Sequence, residues 1–232
     1  MTPLTGISSM ATRGVLRDLA RAYADETGQR VDVLAVGGVD AARRVQDGEA
    51  FDFVVLAREA IARLAALGRV DATSAVDLVR SDIAVAVARG APKPDIGSES
   101  AVRAAVARAR RIGYSSGPSG EHVRTLLARW DASGSLAARS VQAAPGVPVG
   151  ALVAAGQVDL GFQQWSELMD LPGIEIVGLL PADIRKTTVF TAAVCTASTQ
   201  PDATRCLLSF LVSDAAASAK RRYGMEPASP GP

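Results

Sequence analysis

Two hydrophobic rhythms alternate along this chain. Short strands are predicted over 5–8, 31–36 and 51–57, the last of them apolar on both faces. Between them, apolar residues recur every three or four positions and predict helices over 10–27, 39–46 and 59–67. In the first helix the core face is Val15, Leu16, Leu19, Ala22 and Tyr23. Gly28, Gly48 and Gly68 close the three helices, as glycine does just past a C-terminus. A strand that is apolar on both faces belongs to a sheet covered by helices on both sides. The strand–helix repeat therefore predicts a parallel sheet with right-handed crossovers.

The rhythm resumes with a strand over 82–88 and breaks at Gly90-Ala91-Pro92-Lys93-Pro94. A second α/β segment follows. It has helices over 99–110, 119–130, 148–155 and 165–169, and strands over 111–115, 158–163 and 174–179. A long strand over 187–196 and a last helix within 202–223 complete it, and the last helix is expected to pack on the first lobe. This predicts an α/β protein with a two-lobed, hinge-linked architecture and parallel-rich sheets flanked by helices. Lobe 1 is discontinuous, 1–82 plus 192–226; lobe 2 is 83–191; 227–232 is a flexible tail. The strands over 82–88 and 187–196 are the expected hinge crossings, with a ligand cleft between the lobes.

Three strand-to-helix turns carry the chemistry: Gly6-Ile7-Ser8-Ser9, Val36-Gly37-Gly38 and Tyr114-Ser115-Ser116-Gly117-Pro118-Ser119-Gly120. A helix that starts in such a turn offers unpaired N–H groups and partial positive charge. That is an anion site without a cation beside it. Ligands in open α/β sheets bind beyond the carboxyl ends of the strands, where these turns lie. The expected ligand is thus a small anion. The candidates to bind it are Ser8, Ser9, Met10, Gly37, Gly38, Ser115, Ser116, Ser119 and Gly120, with Ser119 capping its helix and Ser116 facing the cleft. Each serine can equally be a plain N-cap, and each glycine a plain tight turn. Ala57 and Arg58 open the third helix, and Arg13 lies just inside the first; either guanidinium could grip a carboxylate with two N–H groups. Lys186 is a weaker candidate of that kind. Gln163 and Gln164 leave an apolar strand as buried amides that need partners, followed by Trp165 as a wall or a packing residue.

Composition narrows the remainder. Hydrophobic residues make up 48% and charged residues 21%, so a sizeable core is expected. The net charge of +1, with arginines interspersed among acids, predicts no nucleic-acid partner. Arg108, Arg110 and Arg111 are read as the cationic end of one helix. No apolar run reaches the length of a membrane span, so no membrane insertion is expected. Residues 1–9 leave no room for a signal peptide, which predicts a cytoplasmic protein unless the chain is a trimmed mature form. A permease partner is expected only if the chain is exported, and the chain is expected to be a monomer. Cys195 and Cys206 read as small core residues. With one histidine, His122, and no ligand spacing, neither a metal nor a cofactor is expected.

The order of elements resembles the molybdate-binding branch of the periplasmic solute-binding proteins over nearly the whole chain. Ser8-Ser9, Gly37-Gly38, Phe51-Asp52-Phe53-Val54-Val55-Leu56-Ala57 and the stretch Val149-Gly150-Ala151-Leu152-Val153-Ala154-Ala155-Gly156-Gln157-Val158-Asp159-Leu160-Gly161-Phe162 carry the likeness. That family places a serine in the second turn and a tyrosine after the late strand. Here Gly37-Gly38 and Gln163-Gln164-Trp165 stand instead, which suits carboxylates and hydroxyls better than a compact oxyanion. The fold is similar to that of aconitate isomerase, and the resemblance extends to that branch. The resemblance implies a substrate-binding protein for a small oxyanion or a di- or tricarboxylate. The alternative is an isomerase that shifts a proton and a double bond in a small carboxylate. No nucleophile–base pair is recognisable. The base would be His122, a serine-bound water, Glu121 or Glu59, and the residues do not choose among them.

Overall fold

The computed structural model describes residues 2–131 and 133–228. The chain forms two compact units, divided at Ser81/Asp82 and at Thr187/Thr188. Both crossings fall inside continuous strands.

Unit 1 opens with β1 (Leu4–Ser9), a 3-10 turn (Met10–Thr12) and α1 (Arg13–Thr27). β2 (Val31–Val36), α2 (Gly38–Gln46), β3 (Phe53–Ala57) and α3 (Arg58–Ala66) follow. The expected helix over 10–27 thus begins as a 3-10 turn. Ala20, rather than Ala22, completes its buried face. Gly28 ends α1 in the left-handed region at φ 73°, where only glycine is unstrained. β2 and β3 flank β1, both parallel to it. Alternation along β3 sends Phe53 and Val55 to one core, and Val54 and Leu56 to the other, beneath α2 and α3.

β4 (Val76–Ala88) is longer than the expected strand over 82–88, because a polar-interrupted half, Val76 to Ser81, belongs to unit 1. In unit 2, β4 presents Ile83, Val85 and Val87 to one core and Ala84 and Ala86 to the other. The bulky face packs under α4 (Glu99–Arg108) and, beyond β5 (Ile112–Tyr114), α5 (Pro118–Trp130). A short α6 (Ser135–Ala138) and β6 (Ser140–Gln142) come next, neither of them expected. The alanine face leaves room for α7 (Val149–Ala154) and, after β7 (Leu160–Gln164), α8 (Trp165–Leu168). β5 lies parallel to β6 and β7, while β7 and β8 (Ile174–Leu179) run antiparallel to β4.

β9 (Thr187–Val194) pairs antiparallel with β3. The expected last helix is two, α9 (Pro201–Val212) and α10 (Ala217–Arg222), joined by a 3-10 turn; both pack into the α1 core of unit 1.

Other expectations change. Of the expected tail over 227–232, Pro227 instead joins Glu226 in β10, antiparallel to β4 at Val79 and Arg80, and 229–232 lie outside the described residues. Cys195 is buried, but Cys206 is exposed, on the outer face of α9. Arg110 and Arg111 lie beyond α4, where their N–H groups donate to Asp159. Among the described residues no helix is long and apolar enough to cross a membrane.

Candidate functional site

In unit 1 the parallel strands set three helix starts side by side. Register places Ser9 opposite Val36 of β2, and Ser8 opposite Val55 of β3. The turns after β1, β2 and β3 therefore emerge at one end, with Ser9 in the middle. A Cβ built on Gly38 would lie 3.5 Å from Ser9 Cβ and 3.9 Å from Leu56 Cδ2. No side chain caps the turn after Ser9, nor α2 at Gly37, nor α3 at Ala57.

Ser9 is 7% exposed and sits in the N-cap position of its turn. Its hydroxyl makes no capping bond there, and its buried Oγ has no partner. The neighbouring hydroxyls are occupied: Ser8 Oγ and Thr12 Oγ1 each donate to the Ser9 carbonyl at 3.2 Å. An unsatisfied buried hydroxyl costs about 1–3 kcal/mol, which alanine would avoid. The plain N-cap explanation of Ser9 thus fails, and the orphan hydroxyl stands beside the uncapped start of α2.

The other unit 1 candidates divide. Met10 is half-buried at the head of the 3-10 turn, and Ala57 is buried at the N-cap position of α3. Arg13 opens onto an arginine-lined groove between α1 and β2, about 570 Å³, shared with Arg17, Arg21 and Arg30. Arg58 is committed within the fold. Its Nε donates to Asp77 Oδ1 at 3.2 Å and its Nη2 to Oδ2, while Thr191 Oγ1 donates to Asp77 Oδ1 at 2.7 Å.

In unit 2 the corresponding groups are largely spent on one another. Ser115 and Ser119 share a hydroxyl hydrogen bond of 2.8 Å. Ser119 does not cap α5; Gly117 holds the N-cap position and Pro118 the first helical one. Gly120 is obligatory, because a Cβ there would lie 1.6 Å from the Ser115 carbonyl oxygen. Ser116 is half-buried. His122 donates from Nε2 to the Ile184 carbonyl at 2.9 Å, tying α5 to the turn before β9. Glu121 and Glu59 are exposed, and so is Lys186.

Tyr114 pairs with Phe162, so the Ser115 turn and the Gln163–Gln164 pair emerge from neighbouring strands at one end. Gln163 and Gln164 are both buried. Gln163 Oε1 accepts the Val149 N–H at 2.7 Å, and its Nε2 donates to Glu167 Oε1 at 2.9 Å. Trp165 packs among the side chains around α7 and α8. Glu167 is the residue the sequence reading missed. Burial raises its carboxyl from an ordinary 4.5 to about 7, against the opposing effect of the Gln163 hydrogen bond. The available signal was a glutamate one helical turn beyond a buried glutamine.

Comparison with known proteins places the chain by family and fold. The family described as bacterial extracellular solute-binding protein matches residues 4–226. Aconitate isomerase from Pseudomonas sp is 40% identical over 233 residues, covering 98% of this chain and 88% of that protein. The periplasmic molybdate-binding protein of Azotobacter vinelandii superposes with a TM-score of 0.78 at 19% identity, covering 97% of this chain and 100% of that one. The substrate-binding domain of a putative molybdenum ABC transporter from Clostridium difficile gives 0.74 at 16% identity, covering 98% and 99%. The chain is a solute-binding domain with the fold of the molybdate-binding proteins, and it belongs to the bacterial extracellular solute-binding protein family.

Proposed function

We propose that this chain binds a small carboxylate-bearing anion, using the uncapped helix starts around Ser9, Gly38 and Ala57. The observation that carries this reading is the buried, unpartnered Ser9 hydroxyl beside the Gly37-Gly38 turn. An anion there would accept that O–H together with backbone N–H groups at positive helix ends. In unit 2 the Ser115 and Ser119 hydroxyls are paired with each other, and Gly120 is packed against the Ser115 carbonyl, so half-buried Ser116 is the serine hydroxyl of that turn kept in the proposal. Gln163 supports the framework rather than donating freely. Arg13 is proposed only as a peripheral attraction, and Arg58 serves Asp77.

Tricarboxylates are favoured over molybdate by the 40% identity to aconitate isomerase, extending over nearly all of the chain. The same likeness supports a second reading, in which the bound carboxylate is also isomerised. Melting of the full chain with cis-aconitate, trans-aconitate, citrate, sulfate, molybdate and tungstate tests the proposal. A ligand at one hundred times its dissociation constant stabilises by about 2.7 kcal/mol. The aconitates or citrate are expected to raise the melting temperature. A rise with molybdate or tungstate alone contradicts the carboxylate reading.

A further inference from the structure

We propose that the open edge of β2, with the arginine groove between it and α1, is a docking surface for an extended acidic segment of a partner protein, which adds to unit 1 as one further strand. The surface lies wholly within unit 1 and does not depend on which solute the chain binds.

β2 ends its sheet. It pairs with β1, and among the described residues no strand pairs with its other side. Register fixes which backbone groups are left over. Leu4 stands opposite Val31, and its N–H donates to the Arg30 carbonyl at 2.9 Å. Successive residues of a strand turn their N–H and C=O groups to opposite sides. Arg30, Asp32 and Leu34 therefore face β1, whereas Val31, Val33 and Ala35 turn theirs outward. Such a row is a template for another strand. Sheet edges are commonly blunted by proline or by a bulge. β2 has no proline, and its register with β1 runs unbroken from Val31 to Val36.

The three outward-turned residues also line the groove. Their side chains are half-buried, with Ala20 and Ala24 of α1 alongside. Arg13, Arg17 and Arg21 recur every fourth residue and share one face of α1, and Arg30, just before β2, is the fourth arginine. Asp32 is the one acid among the described lining residues. Arg17 is pinned by Asp18 at 3.1 Å and by the Tyr223 hydroxyl at 2.9 Å. Arg21 reaches Asp25 only at 4.0 Å and Arg30 reaches Asp32 at 3.6 Å, with all four of these side chains exposed. Exposed pairs of this kind are weak, so their arginines can turn to a partner's carboxylates.

The occupant's chemistry follows from both features. Acids at alternate positions meet the arginines, and its backbone pairs with Val31, Val33 and Ala35. The apolar side chains between the acids cover Leu34, which is exposed on the other face of β2. The phosphates of a nucleic acid would neutralise the arginines but have no donor for the outward carbonyls. A second copy of this chain would set arginine against arginine.

Fluorescence anisotropy of a labelled peptide of alternating glutamate and valine, mixed with the full chain, tests the proposal. Saturable binding that weakens as salt rises is expected. Arg21→Glu combined with Arg30→Glu is expected to weaken it about tenfold or more. Val33→Pro removes an outward N–H that no bond within the sheet uses, and proline is tolerated on edge strands. It is expected to weaken the peptide similarly while melting stays near wild type. N-methylating either the glutamates or the valines of the peptide tests the edge without touching the fold: one form is expected to lose about tenfold in affinity and the other to keep it. No saturable binding, equal binding of a lysine–valine peptide, an unchanged affinity in the arginine variant, or two N-methylated forms that bind alike overturns the proposal. So does binding of polyuridylate with the peptide silent, or a dimer in light scattering that Val33→Pro abolishes.

Discussion

The strand ends of the two units use the same materials in opposite ways. In unit 1, Ser9 keeps a buried hydroxyl without a partner, and a Cβ on Gly38 would meet the Ser9 side chain at ordinary contact distance. In unit 2, Ser115 and Ser119 satisfy each other, Gln163 is shared between Val149 and Glu167, and Gly120 is packed tight against the Ser115 carbonyl. One end carries unspent hydrogen-bonding capacity; the other is a braced framework holding one carboxyl of altered acidity. A Ser/Gly-rich turn is therefore not a single kind of object. What separates a binding turn from a structural one is whether its hydroxyls already have partners.

Alanine at the two glycines breaks this comparison most forcefully. Gly120→Ala drives a Cβ into backbone and should cost about 3 kcal/mol or more in urea unfolding. Gly38→Ala meets only ordinary contacts, so its stability should stay near wild type while aconitate affinity falls.

The next effect is pH dependence in unit 2. The folded state holds the Glu167 proton to about pH 7, whereas an unfolded glutamate loses it near 4.5. The folded state then binds more protons, so this contribution is full below pH 4.5 and is lost as pH rises through 7. The loss should be roughly 2 kcal/mol, trimmed by partial exposure. Glu167→Gln should flatten that slope in denaturation measured at pH 5 and pH 8. Carboxylates held low, such as Asp71 at about 2, act only in more acidic solution and do not confuse the window.

Ser9→Ala gives a smaller and purely functional change. It removes an orphan hydroxyl, so stability should hold or rise, while calorimetric affinity for aconitate should fall roughly tenfold, about 1.4 kcal/mol. Smallest is Arg58→Ala. Its half-exposed pair with Asp77 should contribute below about 1 kcal/mol, and ligand affinity should not move.

Much of the fold is legible because periodicity is local. β2, β8 and the glycine stop at Gly28 stand where the pattern puts them. The first half of β4 is hidden because Asp77, Arg80 and Ser81 interrupt its apolar run. β10 is hidden because two residues carry no period, and its pairing with Arg80 and Val79 comes from distant sequence. Ser9 and Gly38 are legible as candidates, since a strand-end turn is a local feature. The commitment of Arg58 is not, because Asp77 lies 19 residues on and Thr191 is farther still. Glu167 is legible only as a glutamate one turn beyond a glutamine; the anchoring of that glutamine is not, because the Val149 N–H that fixes it lies 14 residues before it. Cys206 misled because an apolar helix still has an outer face.

Ligand binding through the Ser9 hydroxyl is tested most directly by calorimetric titration of cis-aconitate into wild type and Ser9→Ala, with unfolding followed in parallel. Saturable binding to the wild type is expected, with roughly tenfold weaker binding to the variant and equal or greater stability of the variant. Equal affinity in the two proteins, or a variant that loses stability along with binding, would contradict it.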